Sequence, residues 1–114
     1  DDYTDVLLYT EKLFVFVAPY LNEINEEELA ECQRIYEFAN EYGYNYLWIT
    51  SVNPEYVYEL QNQYNMFDEV YYGDELELKS MVRSNPGLML MDNGVVIDKW
   101  SKIDFPAEDK ILNK

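Results

Sequence analysis

The chain has 114 residues, the length of one domain, and its 48% apolar and 17% aromatic content is that of a globular protein. It carries 23 Asp and Glu against 8 Lys and Arg, a formal net charge of −15, which disfavours nucleic acid and anionic membrane surfaces as partners. The single cysteine excludes an internal disulfide, and the absence of histidine leaves no imidazole base. No apolar run reaches the ~18 residues that a direct membrane insertion needs.

Two short apolar runs in the first half predict strands buried on both faces, Leu13–Ala18 and Tyr46–Thr50. Between them, Asn25 is a candidate N-cap followed by three glutamates, which suit the positive end of a helix dipole. Gly43 is placed to end this helix. Its apolar stripe consists of Leu29, Cys32, Tyr36 and Ala39.

The middle of the chain predicts two further helices around a short strand. Asn53-Pro54 is an N-cap followed by a proline that suits the first helical position. The apolar face of this helix is formed by Val57, Leu60 and Tyr64. Glu69–Tyr72 is the strand, and Asp74 caps the next helix. The apolar side of that helix is formed by Leu78, Met81 and Val82.

The end of the chain predicts a hairpin. Leu88–Met91 and Val95–Trp100 are strands joined at Asn93-Gly94, residues that tolerate the positive φ angles of a type I′ turn. Residues 107–114 are predicted to form a final short helix or a frayed end.

The order β-α-β-α-β-α-β-β predicts an α/β fold, a three-layer α/β/α sandwich with a mixed sheet. No linker or repeat interrupts it, so residues 1–114 are expected to form a single domain. Because the chain starts at Asp1 rather than Met, we expect it to be excised from a larger protein.

A proline turn and a closing hairpin give the chain a resemblance to thioredoxin-like proteins. The turn, Ser84-Asn85-Pro86-Gly87, precedes a strand and the Asn-Gly hairpin, and the likeness covers residues 12–103. The extra strand-helix unit within residues 46–64 is similar to the peroxiredoxin and TlpA-type branch. The run Asp74–Leu90 resembles the soluble domain appended to bacterial DoxX-type membrane proteins.

The resemblance implies a cis peptide bond between Asn85 and Pro86, with the backbone of Asn85 presented to a bound peptide. It also implies a soluble domain of a bacterial inner-membrane protein, on either side of that membrane. The reactive cysteine of such proteins lies where the first strand meets the first helix, and the corresponding segment Pro19–Asn25 has none. The resemblance therefore implies the scaffold without the Cys-x-x-Cys chemistry.

The candidate binding residues are Arg83, Ser84, Asn85 and Pro86. Arg83 can hold a carboxylate or phosphate through two parallel hydrogen bonds, and it is one of only eight bases. The site is expected beside Pro19–Asn25, since ligands of open α/β sheets lie at the carboxyl ends of strands. The alternative is that Arg83 only stabilises a helix end and Pro86 only shapes the turn.

Two other features are interpreted as structural. Cys32 lies on the apolar stripe near Glu28 and Glu31, which disfavour a thiolate. The acidic run Glu26–Glu28 lacks the ligand pattern of a calcium loop. We therefore expect no metal site and no cofactor.

Three hypotheses for function follow. The first is a non-catalytic interaction or regulatory domain of a membrane-anchored bacterial protein, whose partner is another protein or the parent membrane domain. The second is a thiol redox protein that uses Cys32 or a cysteine elsewhere in the parent chain. The third is a domain that binds a small anion or a glycan through the Arg83 turn and the tyrosine-rich face.

Overall fold

A computed structural model describes residues 3–113 of the chain. The helices of this part are α1 Thr4–Tyr9, α2 Glu26–Tyr42, α3 Pro54–Gln61, α4 Glu75–Met81 and α5 Glu108–Leu112. The strands are β1 Leu13–Ala18, β2 Asn45–Thr50, β3 Val70–Tyr72, β4 Gly87–Asp92 and β5 Val95–Trp100. None of the helices within this part has the length and apolarity needed to cross a membrane.

The strands form one mixed sheet in the order β3-β2-β1-β4-β5. β1, β2 and β3 are parallel, whereas β4 runs antiparallel to β1 and β5 antiparallel to β4. Val17 pairs with Gly87, so the carboxyl end of β1 lies beside the start of β4. This register brings the proline turn to the carboxyl end of the parallel strands.

Helices cover both faces of the sheet and produce two hydrophobic cores. On one face, Phe16 and Trp48 stack at 4.6 Å and pack with buried residues of α2, α3 and α5. On the other face, Val15 and Ile49 pack with α4 and with Tyr3 at the start of α1. Every residue of β1 is buried because its alternate side chains enter the two cores. The predicted three-layer α/β/α sandwich is confirmed.

Two helix boundaries differ from the predictions. The apolar pattern predicts Tyr64 on the face of α3, but α3 ends at Gln61 and Tyr64 follows it, with an extended φ of −133°. The pattern also predicts Val82 on the apolar side of α4, but Val82 lies beyond that helix in an extended conformation and is buried. Val82 packs closely on Gly87: a Cβ on Gly87 would lie 2.5 Å from the Val82 Cβ.

The ends of the chain also differ from the predictions. The sequence pattern did not predict α1, whose six residues form too short a helix to be stable alone. Tyr3, which precedes it, is buried in the second core and its hydroxyl donates to Glu77, so tertiary contacts position this segment. Of the predicted helical segment 107–114, residues 108–112 are helical, and Lys114 lies outside the described residues.

Candidate binding site at the cis-proline turn

The turn that precedes β4 is joined to the loop that follows β1. The Asn85–Pro86 peptide bond is cis, the configuration expected at this position. The Asn85 side chain accepts a hydrogen bond from Tyr20 N–H at 3.0 Å and donates to the Tyr20 carbonyl at 2.7 Å. The structure therefore brings the Arg83–Pro86 turn against the Pro19–Asn25 loop.

The backbone of Asn85 offers one free donor and one free acceptor. Its side chain is occupied by Tyr20, but its own N–H and C=O make no hydrogen bond with any residue of the described part of the chain. Asn85 as a whole is half-buried. One residue of an extended peptide could pair with both groups, as in an antiparallel ladder.

The other predicted residues differ in how available they are. The Ser84 hydroxyl donates to the Pro86 carbonyl at 2.7 Å and accepts from Lys102 N–H at 3.1 Å, so it holds the turn together. Pro86 is buried. Arg83 is exposed, and its guanidinium has no hydrogen bond or ion pair with residues 3–113. Among the four, Arg83 is the side chain free to bind a ligand.

Two open cavities flank the Arg83-Ser84 segment. The first, of about 310 Å³, extends toward Pro19, Tyr20 and Lys79. The second, of about 370 Å³, extends toward Lys99 and Trp100 of β5. Val82, Arg83 and Ser84 line both. A ligand in either cavity would therefore lie next to Arg83.

Half of the basic residues in the chain converge here. Lys79, Arg83 and Lys99 line the cavities, and Lys102 donates its backbone N–H to the turn. The Lys79 ammonium lies 3.3 Å from Glu75 and 5.0 Å from the centre of the Tyr20 ring. The Lys99 ammonium donates to the Met81 carbonyl at 3.0 Å. Lys79 is paired with Glu75 and Lys102 with Glu28, so among residues 3–113 Arg83 and Lys99 are the bases at this turn without an ion pair. In a chain of net charge −15, these two cations can attract an anionic group.

Tyr20 and Lys79 both contact Glu75 beside the first cavity. The Tyr20 hydroxyl donates to the Glu75 carboxylate at 2.7 Å. This hydrogen bond and that from Lys79 lower the pKa of Glu75. Glu75 therefore contacts both side chains at the rim of the first cavity.

Cys32 lies away from this turn and is buried among the residues that pack α2 on the sheet. Burial raises the pKa of its thiol well above the ordinary value, and the charges of Glu28 and Glu31 raise it further. A thiol in this state is a poor nucleophile. Within the described residues, no group of His, Cys, Asp or Glu side chains could hold a metal ion.

Sequence reasoning missed the Asn85–Tyr20 contact and the convergence of the lysines. Lys79 stands four residues before Arg83, but α4 ends at Met81 and Val82 is extended, so helical spacing does not relate these two side chains. Lys99 and Lys102 come from the hairpin and the segment after it, and only the fold brings them to the turn.

The chain has a thioredoxin-like fold. Its structure is similar to the solution structure of a candidate thioredoxin from Neisseria meningitidis, with a TM-score of 0.64 over 96% of this chain and 75% of that one. The two sequences are 15% identical, so the likeness concerns the fold alone. No protein-family model matches the sequence, and no curated protein is significantly similar to it.

Proposed function

We propose that this chain is a non-catalytic thioredoxin-like interaction or regulatory domain that holds an extended, carboxylate-bearing segment of a protein partner at the cis-proline turn. The observation that carries the proposal is the unpaired, exposed guanidinium of Arg83 beside the free backbone groups of Asn85. In a chain of net charge −15, this turn is where a partner's carboxylate meets local positive charge.

The recognition works through two kinds of contact. Asn85 supplies a backbone donor and acceptor, which pair with the main chain of an extended segment. Arg83 supplies a planar fork that holds a carboxylate with two hydrogen bonds, and Lys79 and Lys99 lie on either side of it. The backbone contacts set the position, and the charges select an acidic segment.

The sequence resemblance supports a finer assignment. The run Asp74–Leu90 is similar to the soluble domain of DoxX-type bacterial proteins, so the partner could be the parent protein's own membrane domain. The strand-helix unit within residues 46–64, which forms β2 and α3, is the feature that resembles the peroxiredoxin and TlpA-type branch. We infer a soluble domain of a membrane-anchored bacterial protein. The gene sequence upstream of Asp1 tests this: a membrane-spanning segment is expected there or after Lys114, and a gene without one would contradict the anchor.

The redox alternative has less support for this domain, because Cys32 is buried in the core and the loop at residues 19–25 has no cysteine. Anion binding remains part of the proposal, since a free anion would use the same Arg83 guanidinium.

The binding proposal can be tested by NMR titration of the isotope-labelled chain. The ligands are a hexapeptide of alternating Glu and Val and a matched peptide of Gln and Val. The acidic peptide should shift the backbone amides of Tyr20, Ser84 and Gly87 and bind more tightly than the neutral one. Arg83→Glu should weaken its binding by about tenfold, since it replaces a charge-assisted pair with repulsion.

Lys12→Glu is the matched control, because it makes the same charge change at the other end of β1, ~20 Å from the turn. The affinity of Lys12→Glu for the acidic peptide should stay within about twofold of the wild type, because salt largely screens charges at that distance. Equal binding of the two peptides, or unchanged affinity in Arg83→Glu, would overturn the proposal. Asn85→Ala is a poorer test, because it also removes both hydrogen bonds to Tyr20.

A further inference from the structure

Another cavity, lined by different side chains, lies at the end of the sheet opposite the cis-proline turn. We call it the Asp68 pocket; it has a volume of about 430 Å³ and is lined by Tyr36, Gln61, Tyr64, Asn65 and Asp68. Asp68 stands two residues before β3, at the amino ends of the parallel strands, whereas the cis-proline turn lies at their carboxyl ends. Its volume is within the range of ~300–1,000 Å³ typical of small-molecule sites.

The aromatic side chains of the pocket are fixed by packing. The Tyr36 ring, on α2, meets the Tyr46 ring edge-on, with centroids 4.9 Å apart and an interplanar angle of 82°. The Tyr64 ring meets Phe67 in the same manner, at 5.9 Å and 79°. Both lining tyrosines are therefore held in place before any ligand arrives, which reduces the entropy cost of binding.

The polar side chains of the pocket are also oriented. The Tyr46 hydroxyl donates to one carboxylate oxygen of Asp68 at 3.2 Å. Gln61 donates its side-chain N–H to the Phe67 carbonyl at 2.8 Å, which leaves its amide oxygen as an acceptor. Asp68 makes no ion pair with any residue of the described part of the chain. The carboxylate is thus positioned but not neutralised.

The sequence around the pocket has no positive charge. Residues 35–78, which include all five residues that line the pocket, contain no Lys or Arg. At the same end of the sheet, the Lys12 ammonium already lies 5.6 Å from the centre of the Tyr44 ring, a cation–π contact within the chain itself. The Asp68 pocket is likewise lined by tyrosine rings, and it also has a carboxylate without an ion pair among the described residues.

We propose that the Asp68 pocket binds an organic ammonium group. Asp68 supplies the opposite charge, the rings of Tyr36 and Tyr64 supply cation–π attraction, and amide oxygens can accept N–H groups. A tyrosine- and amide-lined cavity could also hold a neutral sugar. The absence of basic residues from the 44-residue segment and the net charge of −15 favour a cation, which the field of the chain attracts.

NMR titration with three small ligands tests this inference. They are choline, its neutral isostere 3,3-dimethylbutan-1-ol, in which carbon replaces the charged nitrogen, and the sugar maltose. Choline should give saturable shifts at the amides of Asn65 and Asp68 and leave those of Arg83–Gly87 unchanged. The isostere and maltose should bind at least about tenfold more weakly, because they lack the charge.

Variants separate the roles of the side chains. Asp68→Asn should weaken choline binding by about tenfold, whereas Glu27→Gln, in the first turn of α2 and ~13 Å along that helix from Tyr36, should not change it. Tyr36→Phe should keep most of the affinity because the ring remains, and Tyr36→Leu should lose it. Asp68 is exposed, so its variant is expected to fold.

Three results would overturn the inference. The first is equal binding of choline and its isostere, which would show an apolar site. The second is tighter binding of maltose than of choline, which would show a sugar site. The third is choline binding that Asp68→Asn leaves unchanged, or an absence of saturable shifts. Because the cis-proline turn is not involved, none of these results bears on the proposed function.

Discussion

At the scale of single residues, the candidate site divides into side chains that build it and one that is free. Asn85 and Ser84 are used within the protein: the first joins the turn to Tyr20 and the second joins it to Lys102. Arg83 has no such contact among the described residues. Substituting Arg83 therefore tests binding, whereas substituting Asn85 or Ser84 tests the structure of the turn.

Cys32 gives a prediction at this scale. Cys32→Ala should lower the free energy of unfolding by ~1–2 kcal/mol, since it removes a buried sulfur and leaves a small void. In the native protein at neutral pH, alkylation of the Cys32 thiol should be slow, because burial excludes reagent and raises the thiol pKa. Denaturant melts and timed alkylation measure the two effects.

A denatured sample provides the control for alkylation, and its labelling should be fast. Native labelling at the denatured rate, or loss of a measurable activity of the parent protein in Cys32→Ala, would return the redox hypothesis to consideration.

At the scale of elements, the start of α2 is tied to the segment after β5. Asn25 and Glu28 form a capping box, in which each side chain bonds to the other's backbone N–H. Glu28 also lies 2.9 Å from the Lys102 ammonium, with 16% of its side chain exposed. Since Lys102 N–H bonds to Ser84, these contacts connect α2 to the cis-proline turn.

The pKa of Glu28 makes this connection depend on pH. The hydrogen bond to Asn25 N–H lowers it below the ordinary value of 4.5, and Lys102 lowers it further. A carboxyl group whose pKa is lowered on folding stabilises the protein above its unfolded pKa, and this contribution is lost as pH falls through the folded pKa. At neutral pH, Glu28→Gln should therefore cost about 0.5–1 kcal/mol, and the cost should vanish as Glu28 protonates below 4.5.

A double-mutant cycle of Glu28→Gln and Lys102→Gln, measured by urea melts, isolates the pair. The coupling should be measurable at neutral pH and smaller at acidic pH, once Glu28 binds a proton. A coupling of equal size at both pH values would mean that the contact is not an ion pair.

At the scale of the whole molecule, charge is distributed unevenly between the two ends of the sheet. Four of the eight bases surround the cis-proline turn, and the stretch 35–78 has none. The two proposed sites therefore lie at opposite ends of the sheet and are expected to take ligands of opposite charge. This polarity is what separates the two proposals experimentally.

The net charge gives a prediction for the whole chain. Its self-repulsion opposes the compact state, whose radius of gyration is 12.9 Å, comparable with the ~10 Å Debye length at 0.1 M salt. Adding NaCl at neutral pH should therefore raise Tm by a few degrees. The same salt also weakens surface ion pairs, but these contribute only about 0–1 kcal/mol each.

Repeating the melt near the isoelectric point of about 4.1 is the control, because little net charge remains there to be screened. The rise in Tm should be absent at that pH. A rise of equal size at both pH values would attribute the effect to salt acting on apolar surface.

The sequence by itself determined the elements whose signals are local. β1 and β5 have the predicted bounds, α2 begins after the Asn25 cap, and Asn93-Gly94 has the positive φ angles expected of its turn. These features depend on propensity, capping and patterning over a few neighbouring residues, so a single sequence carries them. The sequence also placed Arg83 beside the proline turn.

Only the tertiary structure decided which distant residues meet. Tyr20 and Asn85 are 65 residues apart, and their two hydrogen bonds exist because β4 pairs with β1 in one particular register. Tyr36 and Asp68 share a pocket because α2 and the start of β3 pack on the same sheet. Such contacts follow from the packing of whole elements, which local pattern does not encode, and both proposed sites depend on them.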